Sequence, residues 1–274
     1  VRETEDQVQH CINEYKALVT MCDRYLGKIL DMMDEYNLWE DTMLIVNTDH
    51  GFLLNQHGWW GKVMMPYYNE LVHIPLFIWN PKVGKAGEHR HALVQTIDIA
   101  PTLLEYFKMD IPKDMMGKPL EETLRNDKKI RDYALFGQHG VHVNITDGRY
   151  VYMRCPQPGH ENELYNYVLE PTSYPGAIRE NELKSVQLHP GFSFTKGCPV
   201  LKMDGGYGIK SLGFPPKSIT ECGTLLYDLK ADPDQEHPIQ DKETEKRMVK
   251  ALVQLMKEND APTEQYSRLG LPQD

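Results

Sequence analysis

Thr42-Met43-Leu44-Ile45-Val46-Asn47-Thr48-Asp49-His50-Gly51 is the stretch whose reading decides the fold. Its first six residues are mostly apolar and do not alternate strictly with polar ones. That pattern predicts a strand buried on both faces, as in a parallel α/β sheet. The polar groups gather at its carboxyl end, where open α/β sheets place their ligands. Upstream, Val8, Cys11, Ile12, Tyr15, Leu18, Val19, Cys22, Leu26, Ile29, Leu30 and Met33 recur at steps of three and four. They predict one continuous helix within the first 36 residues, about 45 Å long and able to lie along a sheet. On its stripe, Cys11 and Cys22 read as small buried hydrophobes.

Downstream, His73-Ile74-Pro75-Leu76-Phe77-Ile78-Trp79 predicts a second strand, with Pro75 marking an edge or a strand start because it cannot donate to a ladder. Residues 96–107 read as a capped helix carrying Pro101 in its first turn. One α/β layer therefore runs to about residue 125. Val141–Thr146 and Arg149–Met153 then flank Asp147-Gly148, a hairpin signal in which both turn residues take positive φ. Thr224–Leu229 predicts a third antiparallel strand, and residues 241–258 a helix with Met248, Leu252, Leu255 and Met256 inward. Residues 155–221 are rich in Pro, Gly, Asn and Tyr with little periodicity, and read as a long loop over a site. The expected organisation is an α/β unit over 1–125 and a smaller α+β subdomain with an antiparallel sheet over 126–274.

Composition narrows the function. The 274 residues are 41% hydrophobic and 26% charged, which excludes collagen-like and wholly disordered chains. Thirty basic against forty acidic residues leave a net charge of −10. With no Lys/Arg run, the chain lacks the basic footprint of a nucleic-acid binder. No apolar run approaches the roughly 20 residues of a membrane span. The acidic start, Val1-Arg2-Glu3-Thr4-Glu5-Asp6, is no secretory signal and lacks an initiator Met, so the chain is expected to be a piece of a longer one. Five cysteines without a CxxC pair argue against a disulfide scaffold or a zinc ribbon; Cys198 and Cys222 remain a candidate pair. The compartment is left open with the cytoplasm slightly favoured, and so is oligomer formation.

The chemistry concentrates in Asn47–Lys62. Asp49 and His50 are adjacent, and adjacent strand residues point to opposite faces. One ion can hold both only where the chain has left the strand, a bend that Gly51 permits. A carboxylate beside an imidazole makes half of a divalent-metal site; taken alone, the pair equally reads as a turn-forming Asp with a packed His. His57 and Lys62 follow on a Gly- and Trp-rich loop. Lysine offers three donors to a tetrahedral oxyanion, and His can donate a proton to a leaving oxygen. A solvated Lys and a loop His is the plain alternative. His73, His139 and His142 read as structural or surface residues.

The stretch from Asp49 to Lys62 resembles the sulfatase pattern in which Ser/Thr-Asp-His/Asn-Gly precedes His-Gly-x-Trp-x-Lys. Cys22–Gly27, Tyr68–Leu76, Thr96–Leu104, Thr146–Tyr150 and Leu226–Pro233 resemble further phrases of that family in the same order. The resemblance implies part of an alkaline-phosphatase-like sheet flanked by helices, and hydrolysis of sulfate esters, of a small molecule or a glycan. It implies a divalent metal, most commonly calcium, with manganese, magnesium or zinc as alternatives. It implies Asp49 and His50 as metal ligands, Lys62 on the sulfate or bridging oxygen, and His57 lining the same pocket. It also implies a nucleophile matured to formylglycine from Cys/Ser-x-Pro/Ala-x-Arg. That motif is absent: Cys155-Pro156-Gln157-Pro158-Gly159 fails its spacing, and Ser173-Tyr174-Pro175-Gly176-Ala177 has Ala where Arg belongs. The chain therefore reads as a C-terminal half that needs its N-terminal half as partner and should not turn over alone. The alternatives are a phosphodiester or phosphonate hydrolase on the same fold, and a non-catalytic degenerate subunit.

Overall fold

Thr4 opens the first helix. The computed structural model describes residues 3–62, 65–161, 163–170, 172–173, 176–177, 180–205 and 221–273, and within it α1 spans Glu5–Glu35. The Thr4 hydroxyl accepts from the Gln7 amide while the Gln7 side chain accepts from the Thr4 amide at 2.9 Å, a capping box. Glu5 and Asp6 place negative charge on the positive end of the helix. After Asn37, at φ 55, come β1 (Leu44–Asn47), β2 (Leu53–Leu54), β3 (Trp60–Gly61), α2 (Asn69–Val72) and β4 (Leu76–Trp79).

Pro75 directly precedes β4, as its missing N–H requires. The direction of pairing corrects the expected parallel sheet: β1 runs antiparallel to β4, from Leu44 opposite Trp79 to Asn47 opposite Leu76. The two form a two-stranded sheet whose residues are half-buried except Asn47 and Phe77, which are exposed. An apolar run reports what a strand is able to bury, and is silent on the direction of its neighbour. The same reasoning corrects Cys11 and Cys22, which are exposed. α1 buries only Val8 and Met33 and leaves Leu18, Val19, Met21, Tyr25, Ile29 and Met32 open. Periodicity identifies the side chains that share a face; the described residues leave Cys11, Leu18, Val19, Cys22 and Ile29 of this face exposed.

A 3₁₀ turn over Thr96–Asp98 leads into α3 (Ile99–Tyr106), with Pro101 in its first turn as read, and then α4 (Glu121–Asn126). Asp98 is fully buried and accepts from the amides of Gln95 at 2.7 Å and Lys118 at 2.8 Å. Both ends of the Arg131 guanidinium also reach it, Nη2 at 2.5 Å from Oδ1. Replacing Arg131 by Met strands a buried carboxylate and is expected to cost about 3–5 kcal/mol. Urea denaturation of the full-length protein measures it as a drop in midpoint at constant slope; an unchanged midpoint would show that the ion pair does not hold this turn.

The C-terminal part contains β5 (Ala134–Gly137), β6 (Val143–Thr146), β7 (Tyr150–Arg154), β8 (Tyr165–Val168), β9 (Thr172–Ser173), β10 (Gly176–Ala177), α5 (Glu180–Leu183), β11 (Gln187–His189), β12 (Val200–Asp204), β13 (Leu225–Asp228), α6 (Lys242–Glu258) and α7 (Thr263–Leu269). The expected hairpin and third strand are present in an antiparallel sheet ordered β13-β7-β6-β5. The turn is shifted by one residue from the expected one. Thr146 pairs with Val151 and the Asp147 amide donates to the Tyr150 carbonyl, which makes Gly148 and Arg149 the central pair. Only Gly148 takes a positive φ, 91°. The Asp147 carboxylate accepts from the amides of Arg149 and Tyr150 at 2.9 and 2.7 Å, so its side chain draws it to the rim of the turn. The segment 155–221 is also corrected: β8, β12 and β11 form a three-stranded antiparallel sheet inside it, while its residues 206–220 lie outside the described ones. Cys198 and Cys222 do not form a disulfide.

The four-stranded sheet buries both faces. Ile145, Tyr152 and Leu226 pack with Met248, Leu252, Val253 and Met256 of α6 and Tyr266 and Leu269 of α7. Asp241 caps α6 by accepting from the amides of Glu243 and Thr244. On the opposite face Val151, Met153 and Tyr227 pack with Leu53, Met65, Tyr68 and Leu71. Neighbours on one strand thus serve two cores, which is why β7 reads as a run without alternation. The second core seats the loop that carries Lys62 and His57. Among the described residues, no helix is long and apolar enough to cross a membrane.

Candidate active site

A short hairpin explains how residues twelve positions apart meet. β2 pairs with β3, Leu53 opposite Gly61 and Leu54 opposite Trp60. The turn between them is built from Asn55, His57 and Gly58, all at positive φ. The residue leaving β3, Lys62, therefore returns beside those that enter β2. The entry is held from below: the Gly51 amide donates to the Leu71 carbonyl at 2.8 Å. A Cβ on Gly51 would lie 1.7 Å from the Glu70 carbonyl oxygen, so this approach admits only glycine.

Three of the four expected site residues converge. Lys62 Nζ lies 2.5 Å from His50 Nε2, and His50 Nε2 lies 3.3 Å from Asp49 Oδ2. Asp49 Oδ1 accepts from the His50 amide at 3.0 Å. Desolvation pushes the Asp49 carboxyl up, but His50, the amides of Asp49 and His50, and Lys62 together outweigh it and hold it below the ordinary carboxylate value. The Asp49 side chain is 83% exposed and that of His50 35% exposed, so the pair faces outward.

The donor set fits a metal ion. His50 Nδ1 lies 2.8 Å from the Gly51 carbonyl oxygen. A carbonyl only accepts, so Nδ1 carries the proton and Nε2 presents its lone pair, the tautomer that a ligating imidazole needs. The bare Nε2 and the Asp49 oxygen are then two acceptors side by side, an arrangement that demands a cation between or beside them. Lys62 supplies one positive charge there. Among the described residues no group of three or more His, Cys, Asp or Glu forms a complete metal site; Asp49 and His50 offer two donor atoms and do not complete a shell by themselves.

His57 sits apart from these three in its contacts. Its Nε2 lies 3.2 Å from Glu70 Oε1, and its ring stacks on Tyr68 with centroids 3.7 Å apart and planes at 12°. The two groups are tied through one residue: the Glu70 carbonyl abuts Gly51 while its carboxylate meets His57. Sequence reasoning missed Glu70 and Tyr68 as site residues. Their nearest local signal is the phrase Tyr68-Asn69-Glu70, which says nothing of an imidazole thirteen residues earlier. His142 is buried and hydrogen-bonded through Nε2 to the Gly223 carbonyl at 2.8 Å, and burial holds its imidazole below the usual value. His73 is exposed.

Comparison with known proteins reaches His57, Lys62 and Glu70 of this site. A family model described as N-sulphoglucosamine sulphohydrolase, C-terminal, matches residues 55–190. The chain is 33% identical over 121 residues to N-acetylglucosamine-6-O-sulfatase of Bacteroides thetaiotaomicron, covering 44% of this chain and 21% of that protein. It is 32% identical over 130 residues to the multifunctional alkaline phosphatase superfamily protein PehA of Trinickia caryophylli, covering 45% and 24%. A solved structure of a protein in complex with its substrate, D-glucosamine-2-N,6-O-disulfate, superposes with a TM-score of 0.59 at 20% identity, over 90% of this chain and 40% of that one. The chain thus spans less than half the length of these three proteins.

Proposed function

This chain belongs to the sulfatase family, as the C-terminal region of one of its members, and from that premise we propose that the full-length protein hydrolyses sulfate esters. The observation that carries the reading is the meeting of Lys62, His50 and Asp49 around one point, with Nζ 2.5 Å and Oδ2 3.3 Å from the same imidazole nitrogen. In this reading Lys62 holds a sulfate or bridging oxygen with a compact charge, and His57 lines the same pocket as an acid–base group. Asp49 and His50 would hold a divalent ion, calcium in our reading, with the remaining ligands from the rest of the protein. Bound there, the ion supplies Lewis-acid stabilisation of charge on the sulfate group.

The N-terminal half would supply the formylglycine nucleophile and cover the open face of α1. Residues 1–125 then complete an α/β core, and 126–274 form the subdomain against which it rests. The substrate is a sulfate ester of a small molecule or a glycan. Sulfated amino sugars are the first class to try, because the matched proteins carry such substrates in their names and titles.

A second reading is a phosphodiester or phosphonate hydrolase, favoured by an imidazole at position 50, whose nitrogen suits manganese or zinc better than calcium. Turnover of an aryl sulfate and an aryl phosphate by the full-length protein separates the two, before and after chelation. The sulfatase reading expects the sulfate ester to be favoured about tenfold or more in kcat/KM, with turnover lost on chelation and restored by calcium. Faster phosphate hydrolysis overturns it in favour of the second reading, and no turnover of either ester in favour of a non-catalytic subunit.

A further inference from the structure

We infer that Glu70 is the positioning residue for His57, holding its imidazole as the Nε2–H tautomer so that Nδ1 is the nitrogen left for substrate. The kinetic consequence rests on the sulfatase reading; the tautomer does not.

The geometry constrains the ring in both of its freedoms. A carboxylate only accepts, so the 3.2 Å contact with Glu70 Oε1 puts the proton on Nε2. Rotation about the ring axis is blocked by Tyr68, stacked at 3.7 Å. Tyr68 is itself buried and meets Tyr227 of β13 edge-on at 6.3 Å. The stack is therefore braced by the four-stranded sheet. Among the described residues, His57 Nδ1 makes no hydrogen bond.

Two features set this contact apart from an ordinary surface ion pair, which contributes little. The side chains are 11% and 27% exposed, so the interaction acts where water screens it poorly. The arrangement is also held against resistance. His57 sits at φ 55, a strained conformation outside glycine. The second oxygen of Glu70, Oε2, is buried with no hydrogen-bond partner, which forgoes a further bond. A carboxylate that serves only to tie the loop down gains from pairing both oxygens; one that aims an imidazole needs only the oxygen that faces it. Fixing the tautomer of a proton-transferring His through its remote nitrogen is a general device.

The test uses the full-length protein with ¹⁵N-labelled histidine, near pH 8 where an ordinary imidazole is neutral. His57 signals are identified by their absence in His57→Asn. The expected wild-type spectrum shows the Nε2–H form, and Glu70→Gln, which keeps the size but not the charge, shows a mixture of tautomers. An Nδ1–H form in the wild type overturns the inference, as does an unchanged spectrum in Glu70→Gln. If the Gln variant fails to fold, the wild-type tautomer decides. In turnover of an aryl sulfate, Glu70→Gln is expected to lower kcat about 10- to 100-fold with little change in KM. The double variant with His57→Asn is expected to be no slower than His57→Asn alone. A further loss in the double variant would show that Glu70 acts other than through His57. A wild type that hydrolyses no sulfate ester overturns the sulfatase reading and leaves the tautomer to judge Glu70.

Discussion

Replacing Lys62 by alanine in the full-length protein is expected to lower kcat on an aryl sulfate by about 10²- to 10³-fold, the loss typical of one preorganised charge donor. The ammonium is held 2.5 Å from His50 Nε2 by a hairpin whose register brings it there before substrate arrives. A positive charge therefore already stands at the site as negative charge grows on the ester oxygen. Lys62→Arg is expected to restore little, because a planar fork cannot occupy the place of a compact ammonium against the imidazole. Asp49→Ala is expected to do at least as much damage, and to weaken retention of the divalent ion, measured as metal content after gel filtration. Turnover of either alanine variant within a few-fold of wild type would remove the chemical basis of the sulfatase reading.

Gly51→Ala is expected to produce the largest combined loss of stability and activity of any single methyl addition in this region. The new Cβ would meet the Glu70 carbonyl oxygen at 1.7 Å and its carbon at 2.7 Å. Both are backbone atoms, which no rotamer change can move aside. Separating them breaks the 2.8 Å bond from the Gly51 amide to Leu71 and pulls Asp49 and His50 away from Lys62. Overpacking of this kind costs about 1–3 kcal/mol, occasionally more. Gly27→Ala is the control: Gly27 lies inside α1 with nothing within 4 Å of the added methyl. There the change is expected to stabilise by about 0.5–1 kcal/mol, with activity untouched. Thermal melts and turnover of the two variants in the full-length protein check both halves. Equal behaviour would mean that the close approach at Gly51 does not shape the site.

Much of the site was legible locally. Asp49 and His50 lead into one short hairpin and Lys62 leaves it, and the glycine and loop residues that allow the return are written beside them. Glu70 was not legible, because its partner His57 lies across a turn whose path depends on packing of Leu53, Tyr68 and Leu71 against Val151, Met153 and Tyr227. The three-stranded sheet inside 155–221 was hidden for a related reason. β8, β11 and β12 are short, and Gln187–His189 and Tyr165–Val168 are partly exposed, so no run of apolar residues marks them.

The amino-acid sequence by itself determined the elements: where α1 and α6 run, where Pro75 starts a strand, where chain reversal at Gly148 makes a hairpin, and which acid, imidazole and ammonium form the chemical cluster. These depend on period, capping and allowed φ, all set within a few residues. Only the tertiary structure decided the antiparallel direction of β1 and β4, the exposure of Cys11 and Cys22, and the pairing of Glu70 with His57. Each of these depends on which distant surface is brought alongside, and a side chain's own pattern carries the demand for a neighbour without its identity.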